Sequence, residues 1–154
     1  METIDAFASA YPLNVLIADD DATRRAMTKQ QLIQLGYKPD EAATDSEVLR
    51  LAGAQQYDVI LMDVHIPGLE EILDIRRPET KTRPIFIAVS SAAASTFMDV
   101  SLRTRLDSVI TRPMDRQELL LQLKACSLLA GRCRIKAHRQ TGSASDRYRT
   151  SRTE

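Results

Sequence analysis

The chain has 154 residues, and its 21 Lys and Arg balance 21 Asp and Glu, so net charge gives no general pull toward nucleic acid or a membrane surface. No apolar run approaches the ~20 residues that span a bilayer, and the opening METIDAFASAYP lacks the charged-then-apolar order of a secretory leader. One domain with a real core and a cytoplasmic location are the expectations, with Cys126 and Cys133, which have no metal-ligand spacing, as free thiols.

Strand-like and helix-like stretches alternate along the chain. Asn14–Ala18 (NVLIA) is a short buried strand that runs into three consecutive aspartates, Asp19, Asp20 and Asp21. From Ala22 to Leu35 the residues Ala22, Ala26, Met27, Ile33 and Leu35 fall near helical spacing, and Gly36 supplies the stop. Tyr37–Ala43 is polar and contains Pro39, which a strand tolerates at a sheet edge. Asp45 or Ser46 is placed to cap a helix carrying Val48, Leu49 and Ala52. Tyr57–Asp63 (YDVILMD) is the clearest buried strand, and it too ends in an aspartate. Gly68–Arg77 predicts a short helix stopped by Pro78, and Pro84–Ser91 (PIFIAVSS) a fourth strand ending in hydroxyls. Ala94–Leu106 is a weaker helix, and SVITRP a fifth strand stopped by Pro113. Asp115-x-x-Glu118 has capping-box spacing and opens a last helix that Gly131 ends.

After Gly131 the pattern fails. Residues 132–154 hold seven basic groups and two acids, which leaves 14 basic and 19 acidic groups in residues 1–131. The chain is an acidic globule with a basic flexible tail or linker. With little aromatic interleaving and no DNA-reading module, that tail gives no reason to expect a nucleic-acid partner.

Near-continuous apolar strands between helices imply a doubly wound α/β fold, a five-stranded parallel sheet covered on both faces. Ligands of such sheets sit beyond the carboxyl ends of the strands. This chain puts Asp19, Asp20 and Asp21 after the first strand, Asp63 after the third, Ser90 and Ser91 after the fourth and Arg112 after the fifth. Clustered carboxylates suit a hard, oxygen-loving ion such as Mg²⁺, which offsets their repulsion. A hydroxyl and a cation beside them suit a phosphoryl group.

The segments VLIADDD, LGY at 35–37, YDVILMDVHIPG, IAVSS and ITRP, in that order, resemble the receiver domain of two-component response regulators and hybrid histidine kinases. The resemblance covers about residues 13–130, with residues 1–12 as an N-terminal extension, 13–131 as the receiver domain and 132–154 as the tail. It implies a flavodoxin-like strand order 2-1-3-4-5, which leaves the strand with Pro39 at an edge. It also implies that Asp63 accepts a phosphoryl group from a phosphohistidine on a histidine kinase or histidine phosphotransfer protein. Asp20 would then ligate Mg²⁺ directly and Asp19 mainly through water, with Asp63 and the backbone carbonyl of His65 completing the protein ligands. Ser90 would supply the hydroxyl that turns toward the new phosphoryl group. Such a chain is a signalling phosphoacceptor rather than an enzyme, with autophosphatase activity at most, and a homodimer stays open.

Three departures from the family pattern stand out. Arg112 replaces the lysine before the strand-five proline, exchanging a compact ammonium for a planar fork. Val109 stands at the aromatic switch position. Gly68 follows Pro67 directly, as though the loop after strand three had lost three residues. They motivate an alternative, a degenerate receiver that works as an interaction module without phosphorylation. A second alternative rests on Asp19, Asp21 and Thr23, which fit the D-x-D-x-T signature of haloacid-dehalogenase-type, Mg²⁺-dependent phosphatases. Arg24 and Arg25 stand where that family has apolar residues.

Overall fold

The run YDVILMD becomes the centre of the molecule because it has no polar residue between its two aspartates. In the computed structural model, which describes residues 7–91, 93 and 98–131, it forms the third of five parallel strands. These are β1 (Val15–Ala18), β2 (Asp40–Ala42), β3 (Val59–Asp63), β4 (Ile85–Ser91) and β5 (Ser108–Arg112). The sheet order is β2-β1-β3-β4-β5, so the short β2 after Pro39 is indeed an edge strand. Between them lie α1 (Ala22–Gln34), α2 (Asp45–Ala54), α3 (Leu69–Leu73) and α4 (Val100–Arg105), and α5 (Arg116–Leu129) follows β5.

Parallel pairing in register (Ile17 beside Leu61, Leu61 beside Ile87) sorts the side chains onto two faces by simple alternation. Val15, Ile17, Leu61, Ile87 and Ile110 pack against Leu32 of α1 and Leu119, Leu123 and Cys126 of α5. Leu16, Ile60, Met62 and Phe86 pack on the other face with Val48 and Ala52 of α2 and Ile72 and Leu73 of α3. Truncating a fully buried strand residue such as Ile60 or Leu61 to alanine would cost about 2–5 kcal/mol through lost burial and the cavity left behind.

The helix ends follow capping chemistry, with differences from the sequence-based expectations. Asp21 caps α1, and Gly36, at φ 92°, takes the left-handed turn that stops it. Thr44, rather than Asp45 or Ser46, caps α2, accepting from the Glu47 N–H while Glu47 Oε1 accepts from the Ala43 N–H. Three adjacent residues could each have capped this helix, and the extended backbone of Thr44 makes it the one outside the first turn. Helix α3 ends at Leu73, well short of Arg77, and α4 starts at Val100 under an Asp99 cap; residues 94–97 of the expected helix lie outside the described residues. The apolar stripe of α1 is also rotated from expectation. Thr28 and Leu32 are buried, while Met27 is 65% and Ile33 45% exposed.

Part of the expected N-terminal extension lies against the domain. Residues 7–10 form a helical turn whose Phe7 stacks near Tyr11 and Tyr37, and the Tyr37 hydroxyl donates to the Tyr11 carbonyl at 2.6 Å. No described helix is long and apolar enough to cross a membrane. The 132–154 tail lies outside the described residues.

Candidate functional site

Pleat alternation decides which strand-end side chains meet. Ile17, Leu61 and Ile110 all point to the α1/α5 face, and two residues further along each chain come Asp19, Asp63 and Arg112. Asp19 and Asp63 are each only 2% exposed. One carboxylate oxygen from each of Asp19, Asp20 and Asp63 lies within 4.8 Å of the other two. Three like charges this close to an apolar core are costly unless something offsets them.

Two arginines do so. Arg112 Nη1 donates to Asp63 Oδ1 at 3.2 Å and to the Val89 carbonyl at 3.1 Å, and its Nη2 donates to Asp19 Oδ2 at 3.2 Å. Its planar fork therefore bridges β5 to the ends of β1 and β3, a span that the branched head permits. Arg24, in the first turn of α1, places Nη2 3.0 Å from Asp19 Oδ1, 3.4 Å from Asp20 Oδ1 and 3.6 Å from Asp63 Oδ2. Its hydrogen bond to Asp19 pushes the guanidinium pKa further above its ordinary value. Arg25 works behind them: its Nη1 donates to the Asp19 carbonyl at 2.8 Å while its Nε lies 3.4 Å from Glu41, which ties the end of β1 to β2.

The remaining aspartate has a different task. The Asp21 side chain accepts from the Arg24 N–H at 2.9 Å, and this backbone bond holds its carboxyl below the usual carboxylate range. A helix cap committed in this way stands outside the three-acid cluster, although the Asp21 N–H donates to Asp19 Oδ1 at 2.9 Å. His65 is exposed, and its N–H donates to Asp63 Oδ2 at 2.9 Å, so the loop after β3 curls back over the carboxylate. That loop is residues 64–68 only, and it closes on Gly68 at φ +79°. A Cβ there would sit 2.3 Å from Asp45 Oδ2, so the short connection has no room for any other residue.

A cluster of hard oxygen donors, a buried carboxylate at a strand end and a cation across from it thus meet at one edge of the sheet. Residues 15–124 match the family model of the response regulator receiver domain. The chain belongs to the response regulator receiver family. Over 85 residues it is 35% identical to the sensor protein EvgS of Escherichia coli K12, a match covering 54% of this chain and 7% of that protein. Over 132 residues it is 26% identical to hybrid signal transduction histidine kinase H of Dictyostelium discoideum, covering 81% of this chain and 10% of the kinase. The chain thus spans a small part of the length of these relatives. In fold it is similar to the receiver domain of a sensor histidine kinase from Pseudomonas aeruginosa PAO1, solved with magnesium in its active-site cleft. The TM-score is 0.62 at 21% identity, covering 75% of this chain and 97% of that one. It is also similar to a Saccharomyces cerevisiae complex of a histidine phosphotransfer protein with the receiver domain of its downstream regulator. There the TM-score is 0.64 at 18% identity, with 80% and 93% covered. At these identities the solved structures speak for the fold.

Within this receiver, the structure brings together Asp19, Asp20, Asp63 and Arg112, with the His65 backbone beside them. Ser90, at the end of β4, is buried, and its hydroxyl donates to the Ser91 carbonyl at 3.0 Å. Arg24 is the residue that strand-end reasoning passed over. The signal was present as DDDATR, because a cation four residues after Asp20 returns to it across one helical turn.

Proposed function

We propose that this receiver accepts a phosphoryl group on Asp63 from a phosphohistidine of a histidine kinase or histidine phosphotransfer protein. The observation that carries the reading is the burial of Asp63 at the end of β3, against two further carboxylates and the guanidinium of Arg112. In the transfer, an Asp63 carboxylate oxygen attacks phosphorus as the P–N bond to the donor imidazole breaks. Three carboxylates that converge within 4.8 Å fit a hard divalent ion. Asp19, Asp20, Asp63 and the His65 carbonyl would hold Mg²⁺, which when bound neutralises charge on the transferring oxygens. The His65 N–H and Arg112 grip opposite oxygens of Asp63 and fix the orientation from which it attacks. Arg112 supplies the strand-five cation toward the developing charge, and Ser90 must rotate away from the Ser91 carbonyl to reach the phosphoryl group.

The sizes of the relatives, a sensor protein and a hybrid kinase, support a place in a phosphorelay. The phosphotransfer partner in the yeast complex supports the same class of donor. The engaged hydroxyl of Ser90 and the two arginines already seated on the acids favour one rival, a receiver that acts through binding alone. Beryllofluoride, which mimics a phosphoryl group on a carboxylate, separates the two. With Mg²⁺ present, bound-fluoride ¹⁹F NMR signals are expected from the wild type and not from Asp63→Asn. A wild type that binds no beryllofluoride would be a binding-only receiver.

A further inference from the structure

We propose that Arg24 holds the divalent-cation position of this site while metal is absent, so that Mg²⁺ enters by displacing its guanidinium. The inference rests on the reading that Asp19, Asp20 and Asp63 form the metal site. Its basis is that one nitrogen, Arg24 Nη2, is the shared neighbour of all three acids, at 3.0, 3.4 and 3.6 Å. These are the same residues whose oxygens converge within 4.8 Å. A guanidinium and a dication compete for those oxygens.

Charge balance says which arginine leaves. Three carboxylates with both arginines seated carry one net negative charge. Adding a dication with both arginines in place turns the cluster net positive, whereas exchanging Arg24 for the dication brings it to neutrality. Arg112 is the poorer candidate to move. Its side chain is 23% exposed and is also fixed to the Val89 carbonyl. The Arg24 side chain is 36% exposed and hence less enclosed, although both arginines border the same open groove beside Met27, Thr28, Gln31 and Met114. Asp21 Oδ2, 3.6 Å from Arg24 Nη1 and outside the cluster, gives the displaced side chain a carboxylate to keep. Arginine stays protonated throughout, so the exchange is of cation for cation with no proton released. Arg24 is in this account a positioning residue. It holds the acid cluster assembled before metal arrives and raises the Mg²⁺ concentration at which the site fills.

The test is Mg²⁺ titration of the full chain by calorimetry, in wild type, Arg24→Gln and Arg24→Lys. Arg24→Gln removes the charge and should bind Mg²⁺ about tenfold more tightly. Arg24→Lys keeps the charge without the fork and should fall between. In parallel, the Mg²⁺-induced rise in Tm should be larger for Arg24→Gln, whose metal-free state has lost its internal cation. This second readout also shows whether the variant folds. Equal affinity in wild type and Arg24→Gln would overturn the displacement while leaving the metal site intact. Weaker binding by Arg24→Gln would overturn it too, showing that Arg24 helps hold the site for metal. Binding by none of the three proteins would remove both the displacement and the metal-site reading.

Discussion

Strand β3 has a buried aspartate at each end, each accepting from one backbone N–H, and the two differ in the charges gathered around them. Asp58, just before the strand, is 5% exposed, and its Oδ2 accepts from the Asn14 backbone N–H at 2.7 Å. The Asp58 N–H in turn donates to the Asn14 carbonyl at 2.9 Å, and Arg77 lies 3.6 Å from the carboxylate. A peptide N–H cannot leave, so this carboxylate is a fixed latch between β3 and the start of β1. Asp63, 2% exposed, shares its surroundings with two other acids and takes its positive charge from two side chains. Side-chain cations can be exchanged for a metal ion or follow a phosphoryl group. If Asp63 is the phosphoacceptor, burial alone does not mark the reactive carboxylate; the gathering of further acids and two arginines around it does.

The largest effect expected at either end comes from the loop beside Asp63. Gly68→Ala combines a left-handed backbone with a Cβ 2.3 Å from Asp45 Oδ2, and should cost about 3 kcal/mol in urea unfolding. Beryllofluoride binding should weaken with it, because that loop carries His65, whose N–H holds Asp63. Retained binding at wild-type strength would show that the loop does not position the carboxylate.

At the other end, Asp58→Ala leaves the Asn14 N–H without its acceptor and should cost about 2 kcal/mol. Asp63→Asn should differ from wild type by less than about 1 kcal/mol, because it relieves a crowd of acids while losing contacts to the arginines. Equal losses at both ends would break the contrast between latch and exchange site.

The Asp58 end also carries the neutral groups that titrate at high pH. Burial pushes the Cys126 thiol from its usual 9 up to about 11. Burial likewise raises Tyr37 and, with the hydrogen bond it donates to Asp40, Tyr57. Because the folded state favours the protonated form, this stability is complete below about pH 9 and is lost as pH rises through about 11. Urea midpoints measured across that window should fall, and Cys126→Ala should fall less steeply. An unchanged slope would assign the alkaline loss to the tyrosines.

The fold was legible because β1, β3 and most of β4 are continuous apolar runs, the pattern that the centre of a parallel sheet buried on both faces asks for. Asp63 and the triplet were legible because like charges at strand ends need an explanation. Arg24 was not, since its role depends on the first turn of α1 swinging it back over the cluster, and strand-end counting reaches only the residues at each strand terminus. Ser90 shows a related limit: it lies at the expected strand end, yet which partner its hydroxyl takes, here the Ser91 carbonyl, is not written in strand order. The phase of α1 is misread from sequence because Thr28, buried, has a polar side chain and Met27, 65% exposed beside the groove, has an apolar one.

The most direct test of the contrast is intact-mass spectrometry after incubation with acetyl phosphate and Mg²⁺, in wild type, Asp58→Asn and Asp63→Asn. Asparagine at 58 keeps an oxygen for the Asn14 N–H, so that variant retains its latch. Wild type and Asp58→Asn should each gain the mass of one phosphoryl group, and Asp63→Asn none. The same gain in Asp63→Asn, or no gain in wild type, would contradict Asp63 as the phosphoacceptor.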